Sequence, residues 1–398
     1  MKLIEIHPDV LDRHRIKIAS RIERILELLS RGHRITWNVK KSKNTKSREK
    51  DRDELLDRAI NKEGLSYWRW LYDNFRERDI LCAKPYALVK FAHDNAIKLN
   101  EITDAKLSEA CTKILKHIFK YDAFRDGLEL AYCNEDIGNA ILWREPCENY
   151  QWGGWYFINT LDVRYCPYCN AETVGNASIT LPSGRKKLIK TALDHFMTQS
   201  KFPALALSLY NLIPACTRCN SCLKSSKDCC ESDSNEGIGT SGDCLSFKTL
   251  HPYVDCIHDE VVFDYSPISV GKLYPRKLEG DMPLHISPKE CGAQSDKAMD
   301  YLRTYHIKEC YRDFYDSELM QIIKALAQFS PTMIKTLRGK LGDDCYTKYF
   351  SSIGGSASLN PNNINHERFG KLMIDLSSQL DGNTILTKDE IMATLRSH

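Results

Sequence analysis

An α+β fold is predicted, with a small cysteine-held strand–strand–helix core set between two helical regions. Three observations predict it. Apolar residues recur at helical spacing toward both ends of the chain; the middle changes to short runs broken by Gly and Pro; and two Cys-x-x-Cys pairs bracket that middle.

Residues 1–150 read as helical. Ile22, Ile25, Leu26 and Leu29 fall on one face, and Leu107, Ala110, Cys111, Ile114, Leu115, Ile118 and Phe119 repeat the spacing over three turns. Cys111 lies on that stripe and is assigned to packing. From Arg31 to Asp53 there are nine Lys/Arg against three Asp/Glu. This stretch, 31–53, reads first as a solvated linker; a surface that tracks phosphates is the alternative. The aromatic cluster Tyr67, Trp68, Trp70, Tyr72 and Phe75 is assigned to packing rather than to base stacking.

Residues 151–265 form the central unit. Gly153 and Gly154 lead into a hairpin: Ala177 to Leu181, a turn at Pro182-Ser-Gly-Arg, and a return strand from Lys186 to Leu193. The polar stretch 224–243 offers little to bury and reads as a flexible insertion. Residues 266–398 return to helical spacing at Leu319, Ile322, Ile323 and Leu326, with a loop by composition at 351–363. There is no internal repeat.

Composition excludes little but is consistent. The 398 residues are 42% apolar and 27% charged with net charge +3, and mean hydropathy is −0.43. No apolar run approaches a membrane span, and the N-terminus lacks a signal-peptide pattern, so a cytoplasmic protein is expected. Sixteen cysteines in a reducing compartment point to metal binding and core filling rather than disulfides.

The knuckles are Cys166-Pro-Tyr-Cys169 and Cys216-Thr-Arg-Cys219. A two-residue gap turns both thiolates of a pair onto one ion, and two pairs complete a tetrahedral zinc site. A thioredoxin-like redox pair is the rival, and its βαβ context is missing. Forty-six residues separate the knuckles, enough to hold structure of their own. Within and beside that span lie Asp194-His195 at a strand end, Asn211 in a short strand, and Asn220 directly after Cys219. This order suits phosphodiester hydrolysis. Neutral imidazole is a competent general base near pH 7, and a hard divalent ion with oxygen ligands can stabilise the departing oxygen. Asp194 and the Asn220 side-chain oxygen are candidate ligands for Mg²⁺ or Mn²⁺. Asn211 is expected to hold the His195 loop through backbone hydrogen bonds.

The segments CPYC, LDHFMTQSKFPALALSLYNLIPACTRCN and LHPYVD resemble the HNH (ββα-metal) endonuclease family. More narrowly, they resemble the HNH nucleases partnered with an ABC/SMC-like ATPase in Septu-type and retron-associated anti-phage systems. The resemblance covers about residues 155–265. It implies a zinc-stabilised nuclease leaving a 5′-phosphate, with His195 as general base, Asp194 as divalent-metal ligand and Asn211 as the central Asn. Asn220 stands where many members carry the final His. Lys224 lies one residue beyond the position of a family Lys, and is weighed between a phosphate contact and a surface lysine. DNA is the favoured substrate, with RNA as an alternative, and a partner ATPase is expected.

Other residues weigh less. Cys222, Cys229, Cys230 and Cys244 are irregularly spaced in a polar stretch, which favours loop thiols over a second zinc. His251 precedes Pro252 and reads as structural, while His258 and His306 have no neighbouring partners. Two other classes stay open: a zinc-held nucleic-acid-binding module, and a scaffold with a degenerate nuclease site.

Overall fold

The structure, a computed structural model, describes residues 2–37, 45–131, 140–145, 150–180, 186–189, 191–232, 244–265, 284–290, 292–314 and 361–381, with isolated positions between 336 and 342. It is a mixed α+β protein of helices and small, mostly antiparallel sheets.

α1 (Pro8–His14) passes through a π-turn at Arg15–Ala19 into α2 (Ser20–Ser30). The α2 stripe Ile22, Ile25, Leu26 and Leu29 is at most 1% exposed. α3 (Thr45–Ala59), α4 (Lys62–Glu77), α5 (Pro85–Asn100) and α6 (Ala105–Ile118) follow, with α2 against α4 and α3 against α6. Asn61 caps α4 by accepting the Gly64 N–H at 2.9 Å. Tyr67, Trp68 and Phe75 are buried, and Cys111 is buried on the α6 stripe. Of the basic stretch, 38–44 lies outside the described residues, and from Thr45 it runs as helix α3.

The N-terminal region is not helical throughout. β1 (Thr36–Trp37), β2 (Glu129–Ala131) and β3 (Ala140–Arg144) form a sheet in the order β1-β3-β2. Its strands are too short to register an alternating period. They are secured from a distance: buried Glu129 accepts from Arg21 at 3.0 Å and Arg144 at 3.4 Å. α7 (Tyr121–Asp126) and α8 (Gly154–Thr160) meet where backbones nearly touch. A Cβ on Gly153 (φ +136°) would lie 2.7 Å from Gly127 Cα and from Phe124 O.

β4 (Ala177–Thr180) and β5 (Lys186–Ile189) pair as the expected hairpin, with its turn outside the described residues. The return strand is shorter than expected. Thr191 breaks it, its backbone N–H donating to Asn176 Oδ1 at 3.2 Å and its hydroxyl accepting from Gly175 N–H at 2.7 Å. The chain then starts β6 (Ala192–His195), which pairs with β7 (Leu212–Ala215), His195 opposite Leu212. A π-helix, Arg218–Lys224, follows. The stretch from 224 is also more structured than its composition suggests. β8 (Cys230–Ser232) pairs with β9 (Leu245–Phe247), and Cys229 and Cys230 are buried; 233–243 lies outside the described residues.

α9 (Ile257–Glu260) leads to β10 (Val261–Tyr265), paired with β11 (Leu284–Pro288). α10 (Ser295–Thr304), α11 (Ile307–Phe314), a 3₁₀ turn at Pro361–His366 and α12 (Gly370–Asp381) complete the described chain. Positions 361–363, expected as loop, open that 3₁₀ turn; the stripe at Leu319 to Leu326 lies outside the described residues. α12 is tied to β10 by buried Asp375, which accepts from Phe263 N–H at 2.8 Å and pairs with Lys371. The apolar residues of all three regions form one contiguous core. Among the described residues no helix is long and apolar enough to cross a membrane.

Candidate active site beside a four-cysteine centre

Cys166, Cys169, Cys216 and Cys219 are buried, and their sulfurs lie within 4.8 Å of one another. Cys169 Sγ and Cys216 Sγ are 3.9 Å apart, close to the roughly 3.8 Å edge of a tetrahedron with 2.3 Å zinc–sulfur bonds. Cys216 Sγ also accepts the Cys219 N–H at 3.4 Å, which stabilises thiolate charge. The donor set fits a structural zinc ion, with no open position for chemistry. Aromatic residues from the C-terminal region seal the first knuckle: Tyr311 donates to Cys169 O at 2.9 Å, Tyr301 donates to Tyr168 O, and Tyr305 stacks on Tyr168 at 4.0 Å. No second such cluster exists among the described residues. Cys222 and Cys244 are exposed, while Cys229 and Cys230 are buried.

Strands β6 and β7 and the π-helix form a strand–strand–helix unit on this centre. Asn211 ends a 3₁₀ turn (Leu209–Asn211) rather than sitting within β7. Its side chain staples the loop after His195: Oδ1 accepts from Met197 N–H at 2.7 Å, and Nδ2 donates to Met197 O and Leu205 O, both at 3.1 Å. That loop brings the Ala206 carbonyl to 3.0 Å from His195 Nε2. A carbonyl only accepts, so Nε2 carries the proton and the Nδ1 lone pair is left for another partner. Burial pulls the His195 pKa below its ordinary value despite the Ala206 hydrogen bond and Asp194, so the ring is neutral at pH 7. The ring also meets Tyr121 edge-on, centroids 4.4 Å apart.

His195 borders a cleft of about 360 Å³ that also includes Asn220, Tyr121, Arg125, Thr198, Gln199 and Ser225. The structure therefore brings His195 and Asn220 to one surface. Tyr121 and Arg125 were not singled out from sequence, because they reach the cleft from α7 across a long loop closure that leaves no local pattern. Tyr168 was also missed, although its place inside the first knuckle was a usable signal.

Asp194 also lines the cleft but is only 3% exposed. Lys224 Nζ donates to Asp194 Oδ1 at 2.8 Å, to Asp194 Oδ2 at 2.9 Å and to His195 O at 2.5 Å. Tyr168 donates to Asp194 Oδ2 at 2.8 Å. Lys224 is thus not a surface lysine: it lines the same cleft, is 1% exposed, and its ammonium is engaged by Asp194 and the His195 carbonyl. Burial lowers the Lys224 pKa more than any single neighbour raises it, but the charge and hydrogen bond of Asp194, together with nearby Cys229 and Asp228, outweigh burial and the net shift is upward. The π-helix explains how a lysine one residue late arrives here. The Ser225 N–H bonds Asn220 O at 3.1 Å, five residues back, so the wider turn absorbs the extra residue. As the site stands, Asp194 is engaged by Lys224 and Tyr168, and no group of three His, Cys, Asp or Glu ligands converges here among the described residues.

His251 is 1% exposed, packs against Phe196 and Phe247, and accepts from Tyr253 N–H at 3.2 Å, a structural role. His306 lies 2.8 Å from Lys227 Nζ, away from the cleft. Compared with protein-family models, with curated proteins and with solved structures, the chain finds no match in any of the three.

Proposed function

We propose that the chain is an HNH-type endonuclease that hydrolyses phosphodiester bonds of nucleic acid, with His195 as general base. One observation carries the reading. His195 Nε2 is anchored to the Ala206 carbonyl, which leaves the Nδ1 lone pair without a protein donor among the described residues, and the ring borders a cleft shared with Asn220 and Arg125. In the reaction, Nδ1 takes a proton from water as its oxygen attacks phosphorus, and the bond to the leaving oxygen breaks. Asn211 acts by holding the loop that holds His195. The four-cysteine centre does no chemistry; it fixes the π-helix bearing Asn220 against β6.

The resemblance extends the proposal to DNA as substrate, a 5′-phosphate product, Mg²⁺ or Mn²⁺ as the catalytic ion, and an anti-phage effector controlled by a partner ATPase. The cleft supports the base more directly than it supports the ion, since Asp194 is engaged by Lys224. That same engagement favours a second reading, a scaffold with a degenerate site. Nicking of supercoiled plasmid and cleavage of a labelled RNA pool decide between them, in Mg²⁺ and in Mn²⁺, without and with the candidate ATPase. Cleavage that disappears in His195→Ala supports the nuclease and identifies its substrate. Cleavage unchanged in His195→Ala, or absent from the wild type under every condition, overturns it.

A further inference from the structure

We propose that Lys224 and a divalent cation compete for the Asp194 carboxylate, so that the chain carries its own occupant of the position a catalytic ion would need. The inference rests on the nuclease reading of the cleft and adds how that site is kept closed.

The geometry sets the two occupants against each other. The ammonium bridges both Asp194 oxygens at 2.8 and 2.9 Å, and Tyr168 takes a further lone pair of Oδ2. A hard cation such as Mg²⁺ binds carboxylate oxygen at about 2.0–2.1 Å, and one lying between the two Asp194 oxygens would need the space that Lys224 Nζ fills. Two positive centres at one carboxylate in a buried site repel strongly. The third ammonium hydrogen goes to the carbonyl of His195 itself, so the lysine ties the base-bearing strand to the helix that follows the second knuckle.

The backbone supplies an independent sign that this placement is built. Lys224 ends a π-helix, and Ser225 beyond it has φ of 50° and ψ of −118°, a left-handed conformation that a non-glycine side chain rarely adopts. A regular helical turn would present residue 224 at a different angle. The irregular turn is what delivers the ammonium to Asp194, and such turns concentrate where function constrains the chain.

The test is Mn²⁺ binding to the zinc-loaded full chain, by titration calorimetry and electron paramagnetic resonance, with no nucleic acid present. Lys224→Met is expected to bind Mn²⁺ at least about tenfold more tightly than the wild type, because the competent state no longer has to form by displacing the lysine. Adding Asp194→Asn to that variant should abolish the gain. Lys224→Gln, which keeps much of the stem and a hydrogen-bond donor, should shift affinity in the same direction if Lys224→Met fails to fold, as judged by zinc content and circular dichroism. Equal affinity in wild type and a folded Lys224 variant overturns the proposal. So does tight wild-type binding that Asp194→Asn removes, an arm that needs no lysine variant. Binding that follows the expected pattern in a chain that cuts nothing keeps the competition and removes the nuclease.

Discussion

Two histidines hang from adjacent carbonyls of one loop and differ in what meets the other ring nitrogen and in burial. His195 Nε2 meets Ala206 O at 3.0 Å, and His14 Nε2 meets Leu207 O at 2.9 Å. Both rings are therefore protonated on Nε2. The other nitrogen of His14 accepts the Trp152 indole N–H at 3.1 Å, and the residue is fully buried. The other nitrogen of His195 has no protein donor among the described residues, and its ring borders the cleft. The same anchoring yields a structural pin when Nδ1 is capped and a candidate base when it is left open. Chemistry here depends on what is left unpaired as much as on which residue is present.

The largest expected effect removes the scaffold that both histidines share. Cys216→Ser should abolish stoichiometric zinc binding and unfold the central unit, since structural zinc contributes on the order of 10 kcal/mol of folding free energy. Metal analysis and a thermal melt check this. A melt unchanged from wild type would mean that the centre is dispensable.

Next in size, His195→Ala should lower cleavage by about a hundredfold to ten-thousandfold, the usual contribution of a general base, while the fold persists. His14→Ala should do the reverse. It leaves Trp152 Nε1 and Leu207 O unpaired in the core and costs about 3 kcal/mol of stability, with cleavage retained below the new melting point. If both variants lost activity equally at low temperature, the contrast between the two rings would fail.

Acid provides a third test. Burial holds the pKa of His14 and of His251 down to about 3, against 6.5 when unfolded. The unfolded chain therefore takes up protons first as pH falls. Stability from these residues is complete above pH 6.5 and is lost between 6.5 and 3. From pH 7 to pH 5 each histidine should account for a loss of about 2 kcal/mol, read from denaturant midpoints. His14→Gln should flatten that slope.

The last test is the most pointed. Trp152→Phe removes the cap on His14 Nδ1 together with part of a fully buried ring and should cost about 2 kcal/mol, measured by melting, with no change in cleavage. It makes His14 resemble His195 in its unpaired nitrogen while leaving it sealed from solvent.

Local spacing made much of this legible. Two Cys-x-x-Cys pairs specified a convergent four-sulfur centre, and the i, i+3, i+4 stripes of α2 and α6 specified buried faces. Asn211 and Asn220 were found because their order relative to the knuckles is itself a pattern. What escaped depends on long-range closure. Tyr121 reaches His195 from α7, and the carbonyls that anchor the two histidines carry no residue signature at all. The small sheet of β1 to β3 was missed because two- to five-residue strands have no measurable period. Lys224 was placed in the right neighbourhood and given the wrong company, since its direction is set by a π-turn that residue counting treats as ordinary helix.

The turn after the first knuckle has a consequence for the order of events during synthesis. Asn170 adopts a left-handed conformation, φ 54°, and its side chain donates to the carbonyls of Ile364 and Glu367 at 2.8 and 3.2 Å. The first of these contacts spans 194 positions. On the ribosome both knuckles emerge well before Ile364 exists. Any gathering of the four sulfurs during synthesis before that point therefore takes place with the turn beside them still open. The carbonyls that close the turn beside the cysteines belong to residues translated long after them.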